Sequence, residues 1–462
     1  MIDWLQHSTG GLLTLAAVSI AVLLFLIIKV KLEPFIALIV VGLLTALAAG
    51  LPVGQIVGSA QKASDSLLEK GFGGILGHIA AIIGLGTILG SILERSGGAK
   101  VLTGALLRAI GEKRAPLAMG LAGFVFGIPV FFDIGIFVLA PLVYVAAKQG
   151  GRSLVLYALP LLAGLSITHA FLPPHPGPVA AAGLLHVELG WIILMGLVCG
   201  IPAFLVGGVV YSTWIGKRID VPVPEEFLVA EDEGEKEENP PSLGLVAAII
   251  AVPLVLILAG TFGSIWLPKD SAPAGVAAFI GTPAVALTIS VLLASWLLGL
   301  RRGLTGKDLS ELSAKSLRPV AMILLVVGAG AFFGAVLSAT GIGKAVAGSL
   351  DNAGLPVILA AYVISCGMRI AQGSATVAIV TTSGIVAPTV ATLGYSQIQL
   401  ALLVVAISAG SIIASHVNDG GFWIISRYFN LTVPQTLKTW TVLETVLSVS
   451  GFGVAALLMA VV

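Results

Sequence analysis

Of 462 residues, 57% are hydrophobic and only 10% charged, against roughly 25% charged in soluble domains. That balance excludes a soluble enzyme and describes a polytopic membrane protein, with no soluble domain large enough to stand apart. A net charge of +1 implies nothing about nucleic acid, and the placement of charge says more than its total.

Apolar runs of about 20 residues, each able to cross ~30 Å of hydrocarbon, recur along the whole chain. The first, Gly11–Ile28, is too long for a cleavable signal and has Asp3 where a basic region would stand, so it reads as a span. The next are Pro34–Gly50 and Gly74–Leu93, then Ser153–His186 with an internal break, and Gly190–Trp214. Beyond them come Leu243–Phe262, Gly275–Gly299, Pro319–Ser338, Gln397–Leu431 with an internal break, and Trp440–Val461. Short amphipathic stretches at Val53–Lys70 and Gly303–Arg318 read as interfacial helices. Trp191, Trp214, Trp266, Trp296 and Trp440 fall near span ends, as interfacial aromatics do. Cys199 and Cys366 sit in apolar runs and read as packing residues rather than a disulfide or metal pair.

Pro116–Ala147 is too short for two crossings and a turn, and basic residues flank both ends. A re-entrant hairpin over 116–147 satisfies both facts, and Pro356–Pro388 is its counterpart over 356–388. The broken helices then occupy 153–186 and 397–431. One strongly polar tract, Glu225 to Glu238 followed by Pro240-Pro241, predicts a disordered cytoplasmic linker over 223–241.

The two sides of that linker echo each other. Gly84–Leu102 aligns without gaps on Gly328–Val346, in a register fixed by Gly84/Gly328, Gly86/Gly330, Gly90/Gly334, Gly97/Gly341 and Lys100/Lys344. Residues 1–222 and 242–462 therefore read as two membrane repeats, giving an all-α protein of about ten spans, two re-entrant hairpins and two broken helices. An odd number of crossings per half inverts the second copy, an architecture that belongs mainly to secondary transporters. Placing the Lys29/Lys31 turn in the cytoplasm puts every Lys and Arg inside except Lys62, Lys70, Lys269 and Lys344, with Arg369 buried. Both termini are then periplasmic.

Ionisable groups at membrane depth are costly and mark a pathway. The candidates are Asp133 at the first hairpin tip, Asp419 at the second break, and the histidines His169, His175 and His416. The tracts Thr168-His-Ala-Phe-Leu-Pro-Pro-His-Pro-Gly-Pro178 and Ser415-His-Val-Asn-Asp-Gly-Gly-Phe-Trp423 hold too much Pro and Gly for continuous helix, so they line a protein-enclosed or wet cavity. Gly373, Ser374 and Thr376 in the second hairpin offer backbone amides and hydroxyls to a carboxylate. Blander readings stand beside these. Asp133 can cap a helix, Asp419 beside Asn418 can be turn chemistry, and His169 and His416 can be satisfied core groups. Arg369 can snorkel or pair with a carboxylate. The Gly86/Gly90 spacing suits close helix packing, and His78 suits helix packing. There is no GxxxxGK[ST] loop, HExxH or GxSxG, so the chain carries no ATPase or common hydrolase template. No cofactor is called for, and uphill transport would draw on an ion gradient.

With these segments in view the chain resembles the gluconate permease family of the wider ion transporter superfamily. The likeness is carried by Ile83–Gly90, Gly127–Asp133, Thr168–Pro178, Arg369–Thr376 and Ser415–Trp423. It implies a bacterial inner-membrane symporter, not an enzyme, that takes up gluconate or a related small hydroxy or amino acid anion with protons. It also implies a homodimer with a scaffold part and a moving part. On this reading Asp133, Thr168, His169, His175, Gly373, Ser374, Thr376, Ser415, His416 and Asn418 meet the solute, and Asp133 or Asp419 carries the proton. A sodium-coupled carboxylate symporter, a symporter for D-serine or a short hydroxy acid, a membrane-embedded acid-pair enzyme and a passive channel are the competing readings.

Overall fold

Proline and glycine punctuate this chain, and its helices start and stop where they fall. The computed structural model describes residues 2–59, 65–111, 114–223, 240–268, 271–318, 320–352, 356–416 and 419–462, and every regular element in them is helical. The first half comprises α1 (Thr9–Ile28), α2 (Pro34–Ala48), α3 (Leu67–Arg95) and α4 (Gly98–Ile110). The hairpin α5 (Ala115–Phe126) and α6 (Phe132–Gly150) follows, then the interrupted pair α7 (Leu154–Phe171) and α8 (Pro176–Leu185), and α9 (Leu189–Gly216). The second half follows. It runs α10 (Leu243–Trp266), α11 (Ala272–Gly281), α12 (Pro283–Arg302), α13 (Gly306–Leu317), α14 (Val320–Ala339) and α15 (Ile342–Asn352). A hairpin α16 (Val357–Gln372) and α17 (Ala375–Val390), an interrupted pair α18 (Gln397–Ile412) and α19 (Gly420–Tyr428), and α20 (Val433–Met459) complete it.

Among the described residues nine helical stretches are long and apolar enough to cross a membrane. Expected as a further span, α2 has 15 residues, about 22 Å at helical rise, short of the ~30 Å core. Three other expectations shift. Val53–Val57 is a short helix ahead of α3, and Leu67–Lys70 is the first turn of α3 itself, because the Ser66 hydroxyl caps Glu69 N–H at 3.1 Å. The expected single span Gly275–Gly299 is two helices: Pro283 opens α12, and Gly281 packs so tightly on Gly260 that a Cβ would lie 2.4 Å from its Cα. Trp440 is 1% exposed, whereas Trp214, Trp266 and Trp296 do lie exposed near helix ends. Most of the acidic linker, residues 224–239, lies outside the described residues, as do Lys62 and Lys269.

The interrupted helices form the centre. Every residue of α7 except His169 is buried, and α18 is buried from Ala401 to Ile412, as helices apolar on all sides must be. The rim helices α10 and α11 instead expose Val255, Ile265, Trp266, Val276 and Phe279, a surface suited to lipid. Within each half the hairpin leans on the interrupted helix, α5 on α7 and α16 on α18. Between halves α8 packs on α17 and α19 on α6.

The echoed glycines allow close approach in both halves, but to different partners. A Cβ on Gly90 would lie 2.2 Å from the Pro129 carbonyl oxygen, and one on Gly86 would lie 2.8 Å from Pro174 Cβ. In the second half Gly334 meets the Gly384 carbonyl at 2.8 Å, and Gly330 meets Val380 Cγ1 at 3.1 Å. Gly97 (φ +72°) and Gly341 (φ +78°) take the left-handed conformation that turns α3 into α4 and α14 into α15.

Candidate functional site

Each interruption leaves backbone groups without helical partners, and side chains gather to satisfy them. In the first half α5 ends at Gly127, where the carbonyl oxygen lies 2.7 Å from His175 Nε2. A carbonyl only accepts, so His175 Nε2–H is the donor and Nδ1 of its neutral ring is an acceptor. His169 Nδ1, 3.3 Å from that atom, must then donate, which leaves His169 Nε2 with a lone pair for another donor. Phe131 covers both imidazoles, and Phe132 flanks His169 while stacking on Trp440 at 5.5 Å between ring centres.

In the second half α16 ends at Gly373 in the left-handed conformation (φ +84°). Arg369, 5% exposed, reaches back to donate to the Gly373 carbonyl and pairs through Nη2 with Asp419 Oδ2. Asp419 also caps α19: its Oδ1 accepts Gly421 N–H at 2.9 Å, and its Oδ2 accepts from Ser415. Trp440 Nε1 donates to the Ser415 hydroxyl at 2.7 Å, and Thr441 donates to the Ser415 carbonyl. Both come from a π-helical turn of α20, Leu437–Thr441, a deformation that re-aims side chains and recurs at functional sites.

All four interruptions meet. Phe132 bridges the first hairpin turn to the second break, Asp133 and Asp419 lie within range of each other's charge, and so do His169 and Arg369. Of the residues singled out by sequence, Asp133 stands exposed in the first turn of α6. Thr168 is buried, donates within its own helix, to Gly164 at 3.0 Å or Leu165 at 3.2 Å, and packs on the Gly127 turn. Gly373 N–H caps α16 through the Arg369 carbonyl at 2.9 Å, and the Ser415 hydroxyl is engaged on both sides, so neither offers the free donor expected of it. Ser374 caps α17, Thr376 lies half-buried in its first turn, and His416 Nδ1 donates to the Ala414 carbonyl at 2.8 Å. Asn418 is outside the described residues. Arg369 is paired rather than snorkelling. Sequence reasoning overlooked Glu444 of α20 and Ser166 of α7, both buried beside this cluster. The available signal was an acidic residue inside the apolar run of α20.

A cavity of about 990 Å³ lies elsewhere, among α3, α10, α14 and α17, with Gly71, Thr261, Ser338 and Pro388 in its wall. It is mostly apolar and does not reach the polar cluster. Among the described residues no group of three His, Cys, Asp or Glu side chains is placed to hold a metal.

An all-helical membrane body whose interrupted helices converge on buried polar groups is that of a transporter. The chain belongs to the GntP permease family: the family described as GntP family permease matches residues 11–462. It is 42% identical to the inner membrane permease YgbN of Escherichia coli, over 98% of this chain and all of that one. It is 40% identical to a gluconate permease of Pseudomonas aeruginosa, over 94% of this chain and 95% of that one. To the high-affinity gluconate transporter of Escherichia coli it is 38% identical, over 95% and 97%. Two solved structures share its fold at low identity. The YdaH transporter of Alcanivorax borkumensis has a TM-score of 0.63 at 15% identity, covering 93% of this chain and 98% of its own. MtrF of Neisseria gonorrhoeae has a TM-score of 0.62 at 18%, covering 99% and 96%.

Proposed function

We propose that this permease takes up gluconate or a similar small hydroxy-acid anion across a bacterial inner membrane by symport with protons. Relatives named as gluconate permeases and transporters, 36–40% identical over nearly the whole chain, support the substrate class. The observation that carries the reading is the buried Arg369–Asp419 pair at the meeting of four helix interruptions. The positive Arg369 and the first-turn amides of α17, around Ala375 and Thr376, attract the solute carboxylate. The His169 Nε2 lone pair accepts from a solute hydroxyl. Protonation of Asp133 or Asp419 from the outward side removes a repulsion against the incoming anion and so couples proton to solute.

On this reading residues 1–222 and 242–462 are inverted repeats with re-entrant hairpins, both termini are periplasmic, and the protein works as a homodimer. Hairpins and interrupted helices move as one part against the rest.

Reconstituted in liposomes, the protein should accumulate labelled gluconate under an imposed inward proton gradient. Accumulation should vanish with a protonophore and persist when sodium is replaced by choline. Sodium-dependent accumulation that ignores the proton gradient would sink the proton coupling. Absence of any aldonate uptake would sink the substrate class.

A further inference from the structure

Glu444 lies within α20, one helical turn past Trp440, and is 1% exposed. Its Oε1 has no hydrogen-bond partner among the described residues, and Ser166 of α7 is within hydrogen-bonding reach of the carboxyl. Arg369 shows the complementary defect. Its Nε–H is buried without a partner among the described residues while Nη2 holds Asp419. The charges of Arg369 on α16 and Asp419 at the head of α19 both reach Glu444. The other elements against α20 add little. The helices α9 and α18 carry no Asp, Glu, Lys, Arg or His, α7 brings His169 three residues past Ser166, and Arg427 of α19 and Lys438 of α20 itself are exposed.

One guanidinium therefore stands near two carboxyl groups at membrane depth. With both ionised, one negative charge would be buried without compensation, which is strongly disfavoured. With one proton between them the trio is neutral.

We propose that Asp419 and Glu444 are alternative seats for one transported proton, with Arg369 pairing with whichever carboxylate is ionised. Arg369 paired with Asp419 corresponds, on this proposal, to the proton resting on Glu444. When the proton moves to Asp419, the O–H bond of one acid breaks as that of the other forms. No electron moves, and the net charge of the trio stays zero. Arg369 then turns its Nε edge to Glu444 and releases the tie between the α16–α17 turn and the head of α19. The coupling step thus unlocks the second hairpin. This deepens the proton-symport reading and rests on it.

Two measurements test it. Infrared pH titration of the purified protein in lipid, without any solute, should show the carbonyl band of a protonated carboxylic acid at neutral pH. That band should be missing from Glu444→Gln. It should also vanish in Asp419→Asn, because Arg369, freed from Asp419, draws Glu444 into ionisation. An unchanged band in either variant overturns the proposal, whatever the solute. In liposomes, a gradient of one pH unit sustains about tenfold accumulation at one proton per solute. Glu444→Gln should lose that accumulation, falling to about onefold, and should lose labelled-for-unlabelled exchange with it, because Arg369 then has no second carboxylate to turn to and stays tied to Asp419. Proton-driven accumulation at the wild-type level in Glu444→Gln overturns the proposal. A wild-type protein that carries no gluconate defeats the substrate assignment alone, since the infrared titration still decides where the proton sits.

Discussion

Arg369 and Asp419 illustrate how a buried ion pair resists halving. Removing one partner leaves a charge that neither water nor protein compensates. We expect Arg369→Met to lower unfolding stability in micelles by about 3 kcal/mol, and Arg369→Met with Asp419→Leu to recover most of that loss. Additive losses in the double variant would show that the two side chains do not depend on each other. The sequence pointed to Arg369, Asp419 and the histidines because charge inside apolar runs is conspicuous. It pointed to Gly373 and Ser415 without showing what they hold. Both are polar groups at a break, but their hydrogen bonds close on Arg369, Asp419 and Trp440, partners distant enough in sequence to be invisible from it. Trp440 misled in the same way, since a tryptophan near a span end reads as interfacial until a π-helical turn swings it inward.

At the level of single helices, α3 sets two kinds of glycine side by side. Gly73 and Gly77 face open space, whereas Gly90 abuts the Pro129 carbonyl. Gly73→Ala should be neutral or stabilise by up to ~1 kcal/mol, as alanine does in a helix interior. Gly90→Ala forces backbone apart and should cost about 1–3 kcal/mol or block transport outright. Equal thermal shifts for the two variants would contradict the packing described for α3.

The exposed helix α13 gives a pH-dependent counterpart. Hydrogen bonds from the Thr305 hydroxyl and backbone N–H hold the Asp308 carboxyl below its ordinary value. Its cap therefore contributes fully above the ordinary carboxylate pKa and is lost as pH falls through the lowered one. Amide exchange at Lys307–Glu311 should quicken only in that acid range, and Asp308→Asn should abolish the dependence. The first interruption was legible for a plain reason: no continuous helix accommodates Pro173-Pro174. The split between α11 and α12 had only Pro283 to announce it, and the close seating of Gly281 on Gly260 that completes it is a tertiary contact.

Across the whole molecule, each half carries a hairpin followed by an interrupted pair of helices, while the echoed glycines meet different partners. Inversion of the halves predicts that Lys100→Cys is labelled by an impermeant maleimide only after the membrane is opened. Lys344→Cys should be labelled from outside in intact cells. Both side chains are exposed, so accessibility is not in question. Labelling of both from one side would abolish the repeat architecture and the site reading built on it.

The unequal seating of the echoed glycines carries one consequence more. Gly86 and Gly90 rest on a helix interruption and a hairpin turn, while Gly330 and Gly334 rest on the shaft of α17. Two equivalent notches thus engage different teeth, as on a ratchet stopped between clicks. If each half can occupy either setting, advancing one notch on one side and retreating one on the other yields a second conformation of equal quality. Direction of carriage would then be recorded in which pair of glycines grips the turn.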